Sequence, residues 1–343
     1  MIVLDKVSKE FVTTKKYPGF RGAIKGLFTH EKVKKTAVNN LSMQIAEGEI
    51  VGYIGGNGAG KSTTIKMMTG ILTPTTGSCL VDGIDPVKNR TKNAKNIGVV
   101  FGQRTQLWWD LPLSESFYIL KEIYHVSDND YKERMKFFDE IMEINSFINS
   151  PVRTLSLGQR MRADLAAALL HNPKVLFLDE PTIGLDIVVK DKIRQAIKMI
   201  NKKYNTTVIL TTHDLGDIEE LCSRIIIIDK GEKIYDGLIA DLKNNYGNMC
   251  NVKMEVEDID KLKLDYNQIF NVSEKDFYYD IEKGHINFFF NKNVISGIDI
   301  VKYIFNITDI KDFKVSETEL PEIVKEIYTN GVSKEGDETC FQK

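Results

Sequence analysis

The sequence predicts an α/β protein whose core is a mainly parallel β-sheet flanked by helices. Short apolar runs recur along the first 240 residues, including EIVGYIG (49–55), NIGVVFG (96–102), KVLFLDE (174–180) and TVILTTH (207–213). They contain Val, Ile, Leu and Phe without regular alternation, which is typical of strands buried on both faces of a parallel sheet. Helical stretches such as Lys61–Thr69 and Lys190–Lys203 follow these runs, and this order of elements is that of α/β domains.

Composition divides the chain of 343 residues into further parts. The segment of about 105–170 is mainly helical and is predicted to be a subdomain inserted into a first domain that covers 1–245. Beyond that domain, Asn, Lys, Asp and Phe become more frequent and short strand-like pieces appear, so 246–328 is predicted to be a small α+β accessory domain. The polar residues 329–343 are expected to form a flexible tail.

Bulk composition argues against several classes of protein. The 42% of hydrophobic and 27% of charged residues are typical of soluble globular proteins, and a net charge of -2 gives no indication of nucleic-acid binding. Four cysteines without CxxC spacing argue against a metal or redox site: Cys79, Cys222, Cys250 and Cys340. No apolar run approaches the roughly 18 residues that span a bilayer, so any membrane role is expected to depend on a partner.

A glycine-rich loop predicts a phosphate site. GGNGAGKST (55–63) fits the pattern G-x-x-x-x-G-K-[ST] between a predicted strand and a predicted helix. Its backbone N–H groups can converge on the β-phosphate, Lys61 can neutralise the β- and γ-phosphates, and the Ser62 hydroxyl can join a Mg²⁺ shell. The alternative is a glycine turn without a ligand, but a chance match is on the order of one in a hundred. The candidate nucleotide ligands are Gly55, Asn57, Gly58, Ala59, Gly60, Lys61, Ser62 and Thr63.

Polar residues follow three predicted strands at the sheet edge where ligands of α/β proteins gather. Asp179 is expected to hold Mg²⁺ through water, and Glu180 to polarise the attacking water as the general base. His213 ends another strand, where it could touch the γ-phosphate, and Gln103 ends a third, where its amide can coordinate Mg²⁺. Solvated carboxylates, a structural histidine and a surface glutamine are the alternatives, which the neighbouring phosphate loop disfavours.

A second segment has the features of a phosphate site. VRTLSLGQRMRADL (152–165) places serine, glycine and glutamine at the start of a predicted helix, where unpaired N–H groups and the helix dipole favour an anion. Arg160 and Arg162 are expected to add positive charge there. Because the chain already has a phosphate loop, this segment raises the question of whose phosphate it holds.

Together these motifs resemble those of the nucleotide-binding subunits of ABC transporters. The resemblance covers residues 1 to about 240: GGNGAGKS resembles Walker A, VLFLDE Walker B, LSLGQ the LSGGQ signature and GLD (184–186) the D-loop, while Gln103 and His213 match the Q- and H-loops. It implies an ABC cassette, with a RecA-like core and a helical subdomain, that binds ATP and Mg²⁺. It also implies two cassettes paired head to tail, so that LSLGQ holds the γ-phosphate of the partner's ATP.

The resemblance assigns further nucleotide contacts. Ser156, Gly158 and Gln159 would bind the partner's nucleotide, with Leu157 where the family usually has glycine. Asp186 is assigned by its place in the D-loop. Phe11 matches the aromatic residue that stacks on adenine in relatives, with a core phenylalanine as the alternative.

Two stretches depart from the family pattern. Residues 12–36 are longer than the usual link and carry seven lysines and arginines against one acid, with apolar residues at helical spacing. Such a basic insertion suits an anionic membrane surface or a permease, and a solvated hairpin is the alternative. FGQRTQLWWDLP (101–112) resembles ATPases of ABC-2-type exporters related to multidrug and antibiotic exporters. There Trp108 and Trp109 are expected to help form a permease socket, unless both pack within the helical subdomain.

These observations predict an ATPase subunit that powers an ABC-2-type exporter. It would pair with a second ABC subunit, identical or paralogous, and bind integral-membrane permease subunits at the cytoplasmic face of the cell membrane. No nucleic acid is expected. The alternatives are a soluble ABC-type ATPase that acts on ribosomes or nucleic acid, and an ABC importer ATPase. The first usually has two cassettes, a long coiled coil or zinc cysteines.

Overall fold

The computed structural model describes residues 1–14, 32–102, 104–257, 259–262, 264–274, 276–282 and 284–330. The chain forms two compact units, Met1–Asp236 and Gly237–Lys343. The first unit therefore ends nine residues before the predicted boundary at residue 245. The reason is that the helix Ile239–Tyr246 packs against the helix Leu320–Asn330 of the second unit.

The first unit contains two sheets. In the described residues its strands are β1 (Ile2–Thr14), β2 (Lys32–Ile45), β3 (Ile50–Gly55), β4 (Thr76–Val81), β5 (Ile97–Phe101), β6 (Val175–Asp179), β7 (Thr207–Thr211), β8 (Arg224–Asp229) and β9 (Glu232–Leu238). The larger sheet has the order β5-β6-β7-β3-β8-β9, and its first four pairings are parallel. The prediction of an α/β fold with a mainly parallel sheet is therefore confirmed.

The smaller sheet is antiparallel, with the order β2-β1-β4. Its apolar side chains share one core with those of the larger sheet, which include Phe177 and Ile226. The two ends of the predicted basic insertion, 12–14 and 32–36, lie in β1 and β2. Its remainder, residues 15–31, is outside the described residues.

The helices of the first unit are α1 (Lys61–Met68), α2 (Arg90–Asn96), α3 (Leu113–Tyr124), α4 (Asp128–Met142), α5 (Leu157–Leu169), α6 (Ile187–Tyr204) and α7 (Leu215–Leu221). Helices α3, α4 and α5 fall within the predicted helical subdomain. Helix α5 packs on β5 and on α3. Its alanines, Ala163 and Ala166 to Ala168, are buried, and such small side chains permit this close packing.

The second unit is an α+β structure. Its strands are β10 (Met249–Val256), β11 (Phe277–Glu282), β12 (His285–Asn291) and β13 (Ile310–Glu317), and its helices are α8 (Ile239–Tyr246), α9 (Tyr266–Phe270), α10 (Gly297–Phe305) and α11 (Leu320–Asn330). The sheet is antiparallel with the order β11-β12-β10-β13. Thr329 and Asn330, predicted to belong to the tail, end α11 instead. Residues 331–343 are outside the described residues.

Candidate nucleotide-binding site

The glycine-rich loop connects β3 to α1 in a path that requires glycine at both ends. A Cβ at Gly55 would lie 2.7 Å from the carbonyl oxygen of Ile228. Gly60 has a φ of 108°, and a Cβ there would lie 2.6 Å from the carbonyl oxygen of Ala37. Any larger residue would push the loop away from β8 and β2, because both contacts are to backbone atoms.

Lys61 lies at the start of α1 with only 7% of its surface exposed. Its ammonium donates to the carbonyl oxygens of Gly55 (2.6 Å) and Gly56 (3.3 Å). Burial lowers the pKa of Lys61, while the nearby charges of Glu180 and Asp179 oppose that shift. The loop thus holds a largely buried positive charge beside two carboxylates, and such a charge binds a phosphate more strongly than an exposed lysine does.

The predicted carboxylates and histidine meet at one edge of the sheet. Asp179 and Thr211 end the adjacent strands β6 and β7, and the Thr211 hydroxyl donates to Asp179 at 2.6 Å. The Nε2 atom of His213 lies 2.9 Å from an oxygen of Glu180. Glu180 has a φ of 56°, a left-handed conformation that costs a non-glycine residue of order 1–3 kcal/mol. Glu180 also lines the cleft beside the phosphate loop.

Gly102 belongs to this edge, although the sequence patterns did not single it out. Its N–H donates to the carbonyl oxygen of Asp179 at 2.8 Å. A Cβ at Gly102 would lie 2.1 Å from the carbonyl oxygen of Glu180, so only glycine allows the two chains to approach this closely. Gln103, the next residue, is outside the described residues, and its predicted roles in catalysis and Mg²⁺ binding remain predictions.

Two cavities adjoin the loop. One, of about 660 Å³, is lined by residues that include Ser62, Thr63, Asp179, Glu180, Gly102 and Arg104. The other, of about 380 Å³, is lined by residues that include Asn57, Gly58, Gly60, Lys61, Lys35 and Glu180. Pockets for small ligands typically measure about 300–1,000 Å³, so a nucleotide of ordinary size fits this region.

The donor set in the larger cavity suits Mg²⁺. Ser62 and Asp179 both line it, and Mg²⁺ commonly binds one or two protein oxygens together with substrate phosphates and water. Among the described residues there is no cluster of three or more His, Cys, Asp or Glu side chains that could form a metal site from protein groups alone.

Phe11 lines both cavities and is 37% exposed, so it is not a core residue. It lies opposite Lys35 in the pairing of β1 with β2. The ammonium of Lys9 lies 5.3 Å from the centre of its ring. An exposed ring at the mouth of a phosphate site has the position that base stacking requires.

The signature segment forms the start of α5. The Ser156 hydroxyl accepts from the Gln159 N–H (3.2 Å), and the Gln159 side-chain oxygen accepts from the Ser156 N–H (2.9 Å). This capping box satisfies two N–H groups at the helix start. Gly158 is buried, and a Cβ there would lie 2.8 Å from Val189 on α6. None of these three residues lines the two cavities beside the loop.

Asp186 caps α6 by accepting from the Val189 N–H at 3.0 Å. It also lines neither cavity. Its predicted nucleotide contact remains a prediction, whereas its role as a helix cap follows from the structure.

The expectation that Arg162 adds charge beside a phosphate is wrong. Its guanidinium is buried, donates to the carbonyl oxygen of Met142 at 2.7 Å and pairs with Glu143 at 3.1 Å. Arg160 instead lies over the ring of Trp109, 5.7 Å from its centre. Successive helical residues are rotated by about 100°, so the two arginines face different directions.

Trp108 and Trp109 are 38% and 49% exposed. The N–H of Trp108 donates to Ser116 of α3, and the carbonyl of Trp109 accepts from the N–H of Arg153. The backbone is therefore fixed while both indoles reach the surface.

No helix in the described ranges combines the length and apolar character that crossing a membrane requires.

Comparison with known proteins gave consistent matches. The family model for "ABC transporter" matches residues 38–183. The linearmycin resistance ATP-binding protein LnrL of Bacillus subtilis (strain 168) is 34% identical over 231 residues, which cover 67% of this chain and 74% of that protein. The methionine import ATP-binding protein MetN of Geobacillus kaustophilus (strain HTA426) is 34% identical over 249 residues, which cover 71% and 68% respectively.

A solved structure agrees. It is the dimeric post-hydrolysis state of the ATP-binding cassette MJ0796 bound to ADP and Pi, with a TM-score of 0.57 and 28% identity. The alignment covers 70% of this chain and 99% of that one. The similar proteins thus include both an import ATP-binding protein and a resistance ATP-binding protein.

Proposed function

This chain belongs to the ABC transporter family as an ATP-hydrolysing subunit, and we propose that two such cassettes pair head to tail and drive export through separate permease subunits. The observation that carries the catalytic part is the position of Glu180, which lines both cavities beside the loop, one with Lys61 and the other with Asp179, and which lies 2.9 Å from His213. ATP-hydrolysing sites need these groups: a cation for the phosphates, an oxygen ligand for Mg²⁺ and a base for water.

Each residue has a distinct chemical task in this proposal. Lys61 and the loop N–H groups bind the β- and γ-phosphates. Ser62 and Asp179 would hold Mg²⁺, which neutralises charge that develops during phosphoryl transfer. Glu180 accepts the proton of the attacking water, and His213, whose Nε2 lies 2.9 Å away, orients that carboxylate.

The head-to-tail pairing is supported by the position of the signature. Ser156 and Gln159 begin a helix whose N-terminal end suits an anion, yet neither lines the cavities of its own phosphate loop. In the head-to-tail arrangement, the ATP bound to the phosphate loop of a second cassette supplies the phosphate for this helix end. MJ0796, which is similar over most of its length, is dimeric in its post-hydrolysis state.

Export is supported by the segment 101–112, which resembles ABC-2-type exporter ATPases, and by the similarity to a resistance ATP-binding protein. The exposed indoles of Trp108 and Trp109 lie in that segment, and exposed aromatic side chains are frequent anchors in protein interfaces. They would contact a permease at the cytoplasmic face of the membrane. Import is the second candidate, since MetN is equally similar.

The variant Glu180→Gln of the full chain tests both the catalytic role of Glu180 and the pairing of two cassettes. The amide keeps the shape of the side chain and removes the charge that polarises water, so hydrolysis should fall at least a hundredfold. ATP should then accumulate a stable dimer, measured by analytical ultracentrifugation. Turnover near the wild-type rate would remove Glu180 from the role of base, and a monomer in saturating ATP and Mg²⁺ would contradict head-to-tail pairing.

The direction of transport needs the complete complex. Co-purification with a permease, followed by reconstitution in vesicles with ATP on the cassette side, would show whether substrate moves away from that side or accumulates on it. Accumulation on the cassette side would refute export and favour the second candidate.

A further inference from the structure

Asp164 is a buried carboxylate that the ATPase mechanism does not use. It lies on α5, about two turns beyond Ser156, and only 5% of its surface is exposed. One of its oxygens accepts from the Thr105 hydroxyl at 2.7 Å and from the Gln106 N–H at 3.2 Å. The Gln106 side-chain amide donates in return to the backbone oxygen of Asp164 at 3.2 Å.

Burying the Asp164 carboxylate at this position costs free energy of desolvation. Burial raises the pKa of Asp164 to about 6, and within the described part of the chain no lysine or arginine forms an ion pair with it. A neutral side chain of similar size would avoid the desolvation cost. What the carboxylate provides in return for this cost is its hydrogen bonds to Thr105 and Gln106.

Those groups form the segment that directly follows Gln103. The Thr105 hydroxyl accepts from the Leu107 N–H at 3.1 Å, which directs its own hydrogen toward Asp164. One helical turn before Asp164, Arg160 lies over the ring of Trp109. Helix α5 thus grips the segment 104–109 at two separate points.

The other end of the segment lies at the catalytic edge. The Arg104 N–H donates to the carbonyl oxygen of Phe101 at 2.9 Å, and the Gly102 N–H donates to that of Asp179 at 2.8 Å. Arg104 lines the same cavity as Glu180. One short stretch of chain therefore connects the Mg²⁺ and base residues to the helix that begins with the signature.

We propose that Asp164 is a positioning residue that locks segment 104–109 to α5, so that a shift at the catalytic edge moves Ser156 with it. ATP-dependent closure on a second cassette then requires the lock. The inference rests on the proposed pairing of two cassettes across ATP, and it assigns a role to the segment after Gln103, which departs from the family pattern.

The test uses the full chain with Glu180→Gln as the parent, because this parent accumulates the ATP-bound dimer. Thr105→Val keeps the shape of the side chain but removes the donor to Asp164, and Thr105→Ser is the matched control that keeps the hydroxyl. For each protein we would measure the melting temperature, the affinity of dilute monomer for a fluorescent ATP analogue, and the ATP concentration that gives half-maximal dimer.

The lock predicts that Thr105→Val raises the ATP concentration for half-maximal dimer at least tenfold, because it loses a hydrogen bond to a charged group. Nucleotide affinity of the monomer should change less than twofold, since Lys61 and its loop are untouched, and Thr105→Ser should follow the parent. Asp164→Ala serves as a second variant if Thr105→Val does not fold, with the same expected shift, because it removes the oxygen that accepts from Thr105 and Gln106.

A lower melting temperature with unchanged dimerisation would show that Asp164 only stabilises the fold. That result would overturn the proposed positioning role but leave the pairing of two cassettes intact. If the parent forms no dimer with ATP, the proposed pairing fails and the role of Asp164 fails with it.

Discussion

Gly102→Ala tests whether the close approach of β5 to the catalytic edge sets the position of Glu180. The added Cβ would lie 2.1 Å from the carbonyl oxygen of Glu180, whereas ordinary contact begins at 3.4 Å. The two backbones would have to separate by about 1.3 Å, the difference between these distances. The obstacle is backbone rather than a flexible side chain, so the Glu180 backbone must move.

A displacement of about 1 Å in a catalytic group can reduce turnover on the order of a hundredfold. We therefore expect kcat for ATP hydrolysis to fall by about that factor. The affinity for ATP should change little, because Lys61 and the loop lie on β3 and α1. Steady-state ATPase rates and a nucleotide titration separate the two quantities.

Gly98→Ala is the matched control. Gly98 lies in β5, the strand that ends just before Gly102, and a Cβ there would lie 2.4 Å from the carbonyl oxygen of Ala168. Overpacking at either position should cost about 1–3 kcal/mol of stability. Gly98 is distant from the catalytic edge, so its replacement should leave kcat per folded molecule unchanged. If both variants lose the same fraction of kcat, general destabilisation explains the result and the argument about Glu180 is refuted.

Four further predictions address other parts of the site. Ser156→Asp keeps an effective helix cap but repels a phosphate, so it should abolish ATP-dependent dimers that the neutral cap Ser156→Asn retains, as measured by ultracentrifugation. Phe11→Leu should weaken ATP binding about tenfold through lost base stacking while leaving competition by inorganic triphosphate unchanged. Joint replacement of Trp108 and Trp109 by alanine should preserve the melting temperature and basal ATPase rate but abolish co-purification of the permease; normal co-purification would contradict the socket. The pKa of Asp164 is raised to about 6, so its stabilising contribution is complete below about pH 3.9 and is lost as pH rises through 6; relative to Asp164→Asn, the wild type should lose about 3 kcal/mol in urea unfolding between those limits, and parallel pH curves would refute this.

The residues that sequence reasoning located are those that local spacing defines. The phosphate loop, Asp179, Glu180 and His213 each follow an apolar run directly, and a parallel sheet brings such positions to one edge. Helical periodicity could also have predicted that Arg160 and Arg162 face different directions, but the sequence interpretation grouped them by charge.

Other features depend on contacts between distant segments. Gly102 matters because β5 pairs beside β6 in a register that places Phe101 opposite Asp179. Asp164 meets Thr105 across 59 positions of sequence, and no spacing rule connects an acid in a helix with a threonine in a loop that far away. The chain division after Asp236 likewise follows from how α8 packs on α11, which composition does not record.

The two helix caps that were predicted to contact nucleotide, Ser156 and Asp186, differ in their hydrogen-bond capacity. The Ser156 hydroxyl accepts from the Gln159 N–H, and a hydroxyl that accepts can still donate its own hydrogen. The Gln159 side chain uses its oxygen for the cap, which leaves amide hydrogens for an anion. Asp186 also caps its helix, but an ionised carboxylate only accepts and would repel a phosphate. The capping geometry is therefore compatible with a phosphate contact by Ser156 and Gln159. Asp186 can contact a nucleotide only at the nucleotide's hydroxyl or amino groups, or through a metal ion or water.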